Sequence, residues 1–167
     1  MPKILLAVYH SMTGGTRQMV EAACAGARQA VDAHAVQVRL LHASAAQPAD
    51  VLQADGFLFA TPENLAAMSG QLKDFFDRCY YAALERITAR PYAAMVCAGS
   101  DGSNAVRQIE RIATGWRLHA VADALIVCTH AQTPEAILAP KQIGAQDLAR
   151  CSELGATLAC GLELGVF

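Results

Sequence analysis

Charge is scarce in this sequence: lysine, arginine, aspartate and glutamate supply 17% of its 167 residues, and the formal net charge is −2. Without a basic excess there is nothing to neutralise a nucleic acid backbone, which excludes that class of partner. Cys24, Cys79, Cys97, Cys128, Cys151 and Cys160 form no C-x-x-C pair and no Cys/His cluster of zinc spacing, so no metal site is expected. They read as reduced thiols packed as small hydrophobes. No apolar run reaches the roughly 18 residues of a membrane-spanning helix. The opening Met1-Pro2-Lys3 leads into a short apolar run that ends at Tyr9. That run is too brief for a secretory signal and lacks a small-residue cleavage site, so a cytoplasmic protein is expected. Neither a phosphate-binding G-x-x-x-x-G-K-[ST] loop nor a G-x-G-x-x-G dinucleotide fingerprint is present.

Hydrophobic residues make up 54% of the chain, which argues against disorder and leaves room for a subunit interface in a homo-oligomer. The length suits one domain over residues 1–167. Apolar runs alternate with helical patterns. Ile4–Tyr9 reads as a strand buried on both faces. A helix is expected from about Thr16 to Ala33, with Met19, Val20, Ala23, Ala27 and Ala30 on one stripe. Val36–Leu40 alternates as an edge strand does. Gly56–Ala60 is a third strand, expected to end at Thr61-Pro62 because proline lacks an N–H.

Leu72, Phe75, Phe76, Cys79, Tyr80, Ala83, Leu84 and Ile87 then share one helical face. Tyr92–Ala98 is a fourth strand, followed by a helix bearing Val106, Ile109, Ala113 and Trp116. Ala124–Cys128 is a fifth strand. A last helix from about Ala145 to Leu162 turns Leu148, Cys151, Leu154, Leu158 and Leu162 inward. Strands alternating with helices imply right-handed crossovers and a parallel sheet covered on both faces, an α/β three-layer sandwich. The stretch from Thr129 to Gly144 is too long for an ordinary connection. It extends the fold, covers a neighbour or shapes the site.

Ligands of open α/β sheets bind beyond the carboxyl ends of the strands. The loop after the first strand reads Ser11-Met12-Thr13-Gly14-Gly15-Thr16. Its hydroxyls, its two glycines and the helix N-terminus that follows suit a phosphate held by neutral donors, since Arg17 lies just outside it. Helix capping is the plainer role for such a loop.

Hydroxyl-x-Thr-Gly-x-Thr after an opening apolar strand resembles the phosphate loop of the flavodoxin superfamily. The stretch from Thr61-Pro62 through Met68-Ser69-Gly70-Gln71-Leu72-Lys73-Asp74-Phe75-Phe76-Asp77-Arg78 resembles the NAD(P)H-dependent FMN reductases and quinone reductases of that superfamily. The resemblance runs over essentially the whole chain in element order. It implies a five-stranded parallel sheet in the flavodoxin-like order 2-1-3-4-5, with flavin mononucleotide (FMN) as cofactor and NAD(P)H as co-substrate. By the same resemblance, Ser11, Met12, Thr13, Gly14, Gly15 and Thr16 would cradle the phosphate. Thr61, Pro62, Glu63 and Asn64 would run along the ring and ribityl chain, with Met68 nearby. Gly99, Ser100, Asp101 and Gly102 would approach the pyrimidine side. The flavin carries the chemistry in such proteins, so no catalytic side chain is implied.

The chain departs from many of these relatives in having no Trp, Tyr or Phe in the second and third loops to stack on the ring. The ring face is then open to a substrate or covered by a partner subunit. Electron-carrying flavodoxins are typically strongly acidic, which steers them to protein partners. A net charge of −2 favours instead a reductase acting on a small acceptor such as a quinone or flavin. A flavodoxin-type electron carrier and a degenerate interaction protein without flavin are the alternatives. His10 and His119 read as structural or surface residues. Asp101, Glu63 and Asn64 are candidates for orienting substrate, with turn formation and solvation as their plainer roles.

The cradle is tested by Thr13→Val or Gly14→Val, each expected to weaken FMN binding with the fold intact. At Thr13 the lost bond to a charged group should cost about 1.5–3 kcal/mol in a flavin titration.

Overall fold

A computed structural model describes residues 1–167. Its centre is β1 (Lys3–Tyr9), flanked in parallel by β2 (Val36–His42) and β3 (Gly56–Asn64). β3 pairs in parallel with β5 (Pro91–Ala98), and β5 with β7 (Leu125–Cys128). A two-residue strand, β6 (His119–Ala120), lies against the start of β5, in the same position as β7. The main ladder therefore has the expected 2-1-3-4-5 arrangement, with its fifth position split in two. One further strand, β4 (Ala67–Met68), folds back antiparallel on the end of β3 and makes seven in all.

Alternation along each strand sorts side chains to two cores. Leu6, Val8, Phe57, Phe59, Tyr92 and Ala94 face one side, while Leu5, Ala7, Leu58, Ala60, Ala93 and Met95 face the other. The first core is closed by α2 (Pro48–Gln53), α3 (Gly70–Ala83) and α4 (Ser103–Gly115). The second is closed by α1 (Gly15–Ala30) and α6 (Ala145–Leu164). A five-residue helix, α5 (Pro134–Leu138), lies within the long segment after β7.

Aromatics concentrate in the first core. Phe59 and Trp116 each pack against Phe75 and Phe76, and Trp116 stacks on Tyr80 at 5.9 Å. Trp116 Nε1–H donates to the Tyr80 carbonyl at 3.0 Å, so its one polar atom is satisfied in the interior. The second core packs by closeness of backbone instead. A Cβ on Gly155 of α6 would overlap the Ala23 carbonyl of α1, and one on Gly26 would overlap Ser152.

Three details differ from the sequence pattern. Strand β3 does not stop at Thr61-Pro62 but runs on to Asn64, with Pro62 opposite Cys97. β1 ends at Tyr9, opposite Ala60, so beyond that point β3 has a parallel partner on one side only and tolerates a residue without an N–H. Ala30 lies on the exposed side of the last turn of α1, and Ile87 is buried from the loop after α3 rather than from the helix. The connection between β2 and β3 contains α2. Its capping box joins Gln47 and Asp50 and holds the turn.

Gly155→Ala should push α1 and α6 apart and destabilise the protein by about 1–3 kcal/mol, despite alanine's better helix propensity. A urea midpoint equal to that of the unaltered protein would refute this account of the interface.

Candidate functional site

A cleft of about 530 Å³ opens at the C-terminal edge of the sheet, beyond β1, β3 and β5. That volume lies within the range of small-molecule and cofactor sites, roughly 300–1,000 Å³.

The turn after β1 forms its floor. Ser11 Oγ accepts from the N–H groups of Gly14 and Arg17, both at 3.2 Å, which closes the turn against the start of α1. Gly14 has φ 93°, in the left-handed region that favours glycine. A Cβ on Gly15 would stand 2.6 Å from Cys97 Sγ, so only glycine lets α1 begin this close to β5. With the turn so set, the N–H groups of Ser11, Met12, Thr13, Gly15 and Thr16 have no acceptor in the protein. Thr16 is 1% exposed, yet its Oγ1 also lacks a partner. A buried hydroxyl without a hydrogen bond is costly, so this donor is placed for something outside the chain. Unpaired N–H groups at a helix N-terminus suit an anion, and with one buried hydroxyl they fit a phosphate monoester.

The second wall is the β3–β4 hairpin. Pro62, Glu63 and Asn64 line the cleft, as does Leu65 at the hairpin tip. Leu65 and Ala66 have φ 50° and 62°, the pattern of a type I′ turn that normally takes Asn-Gly. Asn104 Nδ2 donates to the Ala66 carbonyl at 2.6 Å and ties the tip to α4. Leu65 is nevertheless fully exposed at the rim.

The third wall comes from the end of β5, through Cys97, Ala98, Gly99 and Ser100. The fourth is the segment after β7, which contributes Thr129, Ala131, Ile137 and Lys141. This segment is strapped down at both ends. Thr129 and His130 donate N–H bonds to Ala98 and Gly99 at 2.9 and 2.8 Å, and the Lys141 N–H donates to Thr13 at 2.9 Å. Gln18 Nε2 donates to the carbonyls of Lys141 and Gly14, while its Oε1 accepts from the Ile143 N–H. Of the three roles open to this segment in the sequence, the structure supports shaping the site.

Ser11, Met12, Thr13, Gly15, Thr16, Pro62, Glu63, Asn64, Gly99 and Ser100 thus meet at one cleft. The other expected residues do not line it. Gly14 shapes the turn from behind, and its positive φ makes Gly14→Val a disruption of the turn itself, so Thr13→Val is the clean test. Thr61 is buried, its hydroxyl donating to the Pro62 carbonyl and accepting from Ser69 N–H, both at 2.9 Å. Met68 belongs to the core. Asp101 accepts from Ser103 Oγ at 2.8 Å and from its N–H, the turn-forming role common for aspartate. Gly102 is buried at the N-cap of α4 with φ 85°.

Sequence reasoning missed Leu65, Cys97, Ala98, Thr129, Ala131, Ile137 and Lys141. Cys97 and Ala98 directly precede Gly99 at a strand end, which was a usable signal; the fold-back of the distant segment had none beyond its length. His10 stands just before the turn with its Nδ1 unpartnered, and burial, then the neighbouring His42, lowers its pKa. His119 lies at the start of β5, the opposite edge of the sheet. Burial pushes the Cys97 thiol up to about 11 despite the opposing pull of Lys141, which favours the protonated thiol at neutral pH.

The architecture is that of a flavodoxin-like protein. A flavodoxin from the domain Archaea superposes with a TM-score of 0.76 at 18% identity, covering 96% of this chain and 99% of that one. The model of the NADPH-dependent FMN reductase family matches residues 43–132, and the chain belongs to that family of FMN oxidoreductases. It is 38% identical to a flavodoxin of Aquifex aeolicus over 44% of this chain and 38% of that one. It is 34% identical to an NAD(P)H dehydrogenase (quinone) of Acidithiobacillus ferrooxidans over 44% of this chain and 46% of that one. The matched stretches span less than half the length of either curated relative. No helix is long and apolar enough to cross a membrane.

Thr16→Val separates stability from ligand binding. Removing an unpartnered buried hydroxyl should leave the ligand-free protein at least as stable, by thermal denaturation, while weakening binding of a phosphate-bearing flavin. A large loss of stability would mean that the hydroxyl has a partner inside the fold.

Proposed function

We propose that this chain binds FMN in the cleft and passes electrons from NAD(P)H to a small acceptor such as a quinone or free flavin. The observation that carries the reading is the turn at residues 11–16, which brings unpaired N–H groups and the buried, unpartnered Thr16 hydroxyl to the cleft floor. Ser11, Met12, Thr13, Gly15 and Thr16 would hold the phosphate through backbone N–H groups and the Thr13 and Thr16 hydroxyls. Pro62, Glu63 and Asn64 on one side and Gly99 and Ser100 on the other would flank the ring and ribityl chain. When bound, FMN supplies the two-electron redox chemistry; the chain's part is to bind, orient and shield it.

Met12, Leu65 and Ile137 are the large apolar side chains at the rim, and all three are exposed. They offer aliphatic contact without an aromatic lid, which leaves a ring face accessible to a nicotinamide and then to a small acceptor. The flavin would carry the redox chemistry, so the reading calls for no nucleophilic side chain in the cleft. The likeness to the flavodoxin of Aquifex aeolicus keeps a second reading in view, an electron carrier for a protein partner. The near-neutral net charge of −2 offers such docking little steering.

Visible spectra of the FMN-loaded protein, taken before and after NADH or NADPH, separate the two readings. Bleaching followed by recovery on adding a quinone, with no other protein present, is the expected result. Retained FMN that neither nucleotide bleaches would remove the reductase and leave the carrier. Failure to retain or quench FMN at all would remove both.

A further inference from the structure

The cleft has two charged residues in its lining, Glu63 and Lys141. The backbone and Cβ of Lys141 stand against the turn at residues 11–16. Its N–H bonds Thr13, its carbonyl is held by Gln18, and its Cβ lies 3.4 Å from where a Cβ on Gly15 would be. Its ammonium group donates to the carbonyls of Ala136, Ile137 and Ala139 at 2.8, 2.8 and 2.6 Å. These are neutral acceptors at the C-terminal end of α5, and no carboxylate pairs with it. The charge is therefore fixed in place and not neutralised.

The other cations near the turn differ. Arg17 points to solvent and is paired with Glu21 at 2.8 Å. His10 is biased towards its neutral form by burial and by His42. The turn itself offers uncharged donors, which hold a phosphate but also accept water or an alcohol oxygen. Discrimination for a dianion over a neutral hydroxyl needs a field; the start of α1 supplies part of it, and a fixed ammonium near the turn adds a full charge.

Resting on the FMN reading above, we propose that Lys141 is the specificity residue that selects a phosphorylated flavin over its phosphate-free counterpart. It does so by placing an uncompensated positive charge beside the turn at residues 11–16. The three-carbonyl clip keeps the ammonium from folding out into water. The strap it belongs to, docked by Gln18, carries the charge back to the turn from the far end of the chain.

The test is flavin fluorescence quenching by the unaltered protein and by Lys141→Gln, titrated with FMN and with riboflavin at low and high ionic strength. Glutamine keeps an N–H donor for the α5 carbonyls and removes the charge. Lys141→Gln should weaken FMN binding about tenfold and leave riboflavin binding within about twofold. In the unaltered protein, the preference for FMN should shrink as salt rises, and in the variant it should respond far less. Equal weakening for both flavins would assign Lys141 a packing role in the strap and overturn the proposal, as would unchanged FMN affinity. Should the variant fail to fold, the salt dependence of the unaltered protein decides alone: a preference for FMN that does not change with salt overturns the role of Lys141. Quenching of neither flavin by the unaltered protein would overturn the FMN reading itself, a result distinct from FMN binding that ignores Lys141.

Discussion

The site depends on how the turn after β1 closes. Ser11 Oγ takes two backbone N–H groups, and Gly14 reverses the chain in a left-handed conformation. Gly15 then lets the start of α1 settle on Cys97. Each of these removes an alternative for the backbone. Together they leave a set of N–H groups beside the cleft with no internal acceptor, at the positive end of a 16-residue helix. A turn satisfied within itself would be more comfortable and could not grip a ligand. The unpartnered hydroxyl of Thr16 has the same meaning for a side chain.

That turn does not stand alone, because the cleft is built from segments far apart in sequence. The strap between β7 and α6 returns to the first turn through Gln18 and Lys141, and to the third loop through Thr129 and His130. It supplies the wall that carries Ile137 and Lys141. The hairpin of β3 and β4 supplies the opposite wall, and its tip adopts a backbone that leucine and alanine disfavour. Strain of this kind persists where surrounding contacts hold it, here the bond from Asn104 to Ala66.

The distribution of aromatic residues follows the same division of labour. The aromatic cluster under the sheet, with Trp116 at 0% exposure, belongs to the core closed by α3 and α4. The cleft lining has no aromatic side chain; it combines aliphatic and small residues with polar ones such as Asn64, Glu63 and Lys141. In the proposed reading, a flavin there would be held chiefly by its phosphate and by shape, with its ring face open.

Strand and helix order, the two-faced burial of β1 and the glycine-bearing turn that follows it were legible from the residues, because each is set by local periodicity or by short-range turn chemistry. Thr61, Met68 and Asp101 do not line the cleft, since a hydroxyl, a thioether or a carboxylate at a strand end serves the fold as readily as a ligand. Thr61 satisfies Ser69, Met68 fills the core and Asp101 caps Ser103. The run-on of β3 past Pro62 hung on where β1 stops, a fact about a neighbouring strand. Lys141 could not be placed from sequence at all, for it reaches Thr13 across more than a hundred residues by long-range hydrogen bonds. What the chain determined by itself was the architecture and the turn that opens the cleft; what the tertiary structure alone decided was which distant side chains wall that cleft and set its charge. Local patterns encode backbone geometry, whereas the partners of a surface charge depend on how the finished layers close.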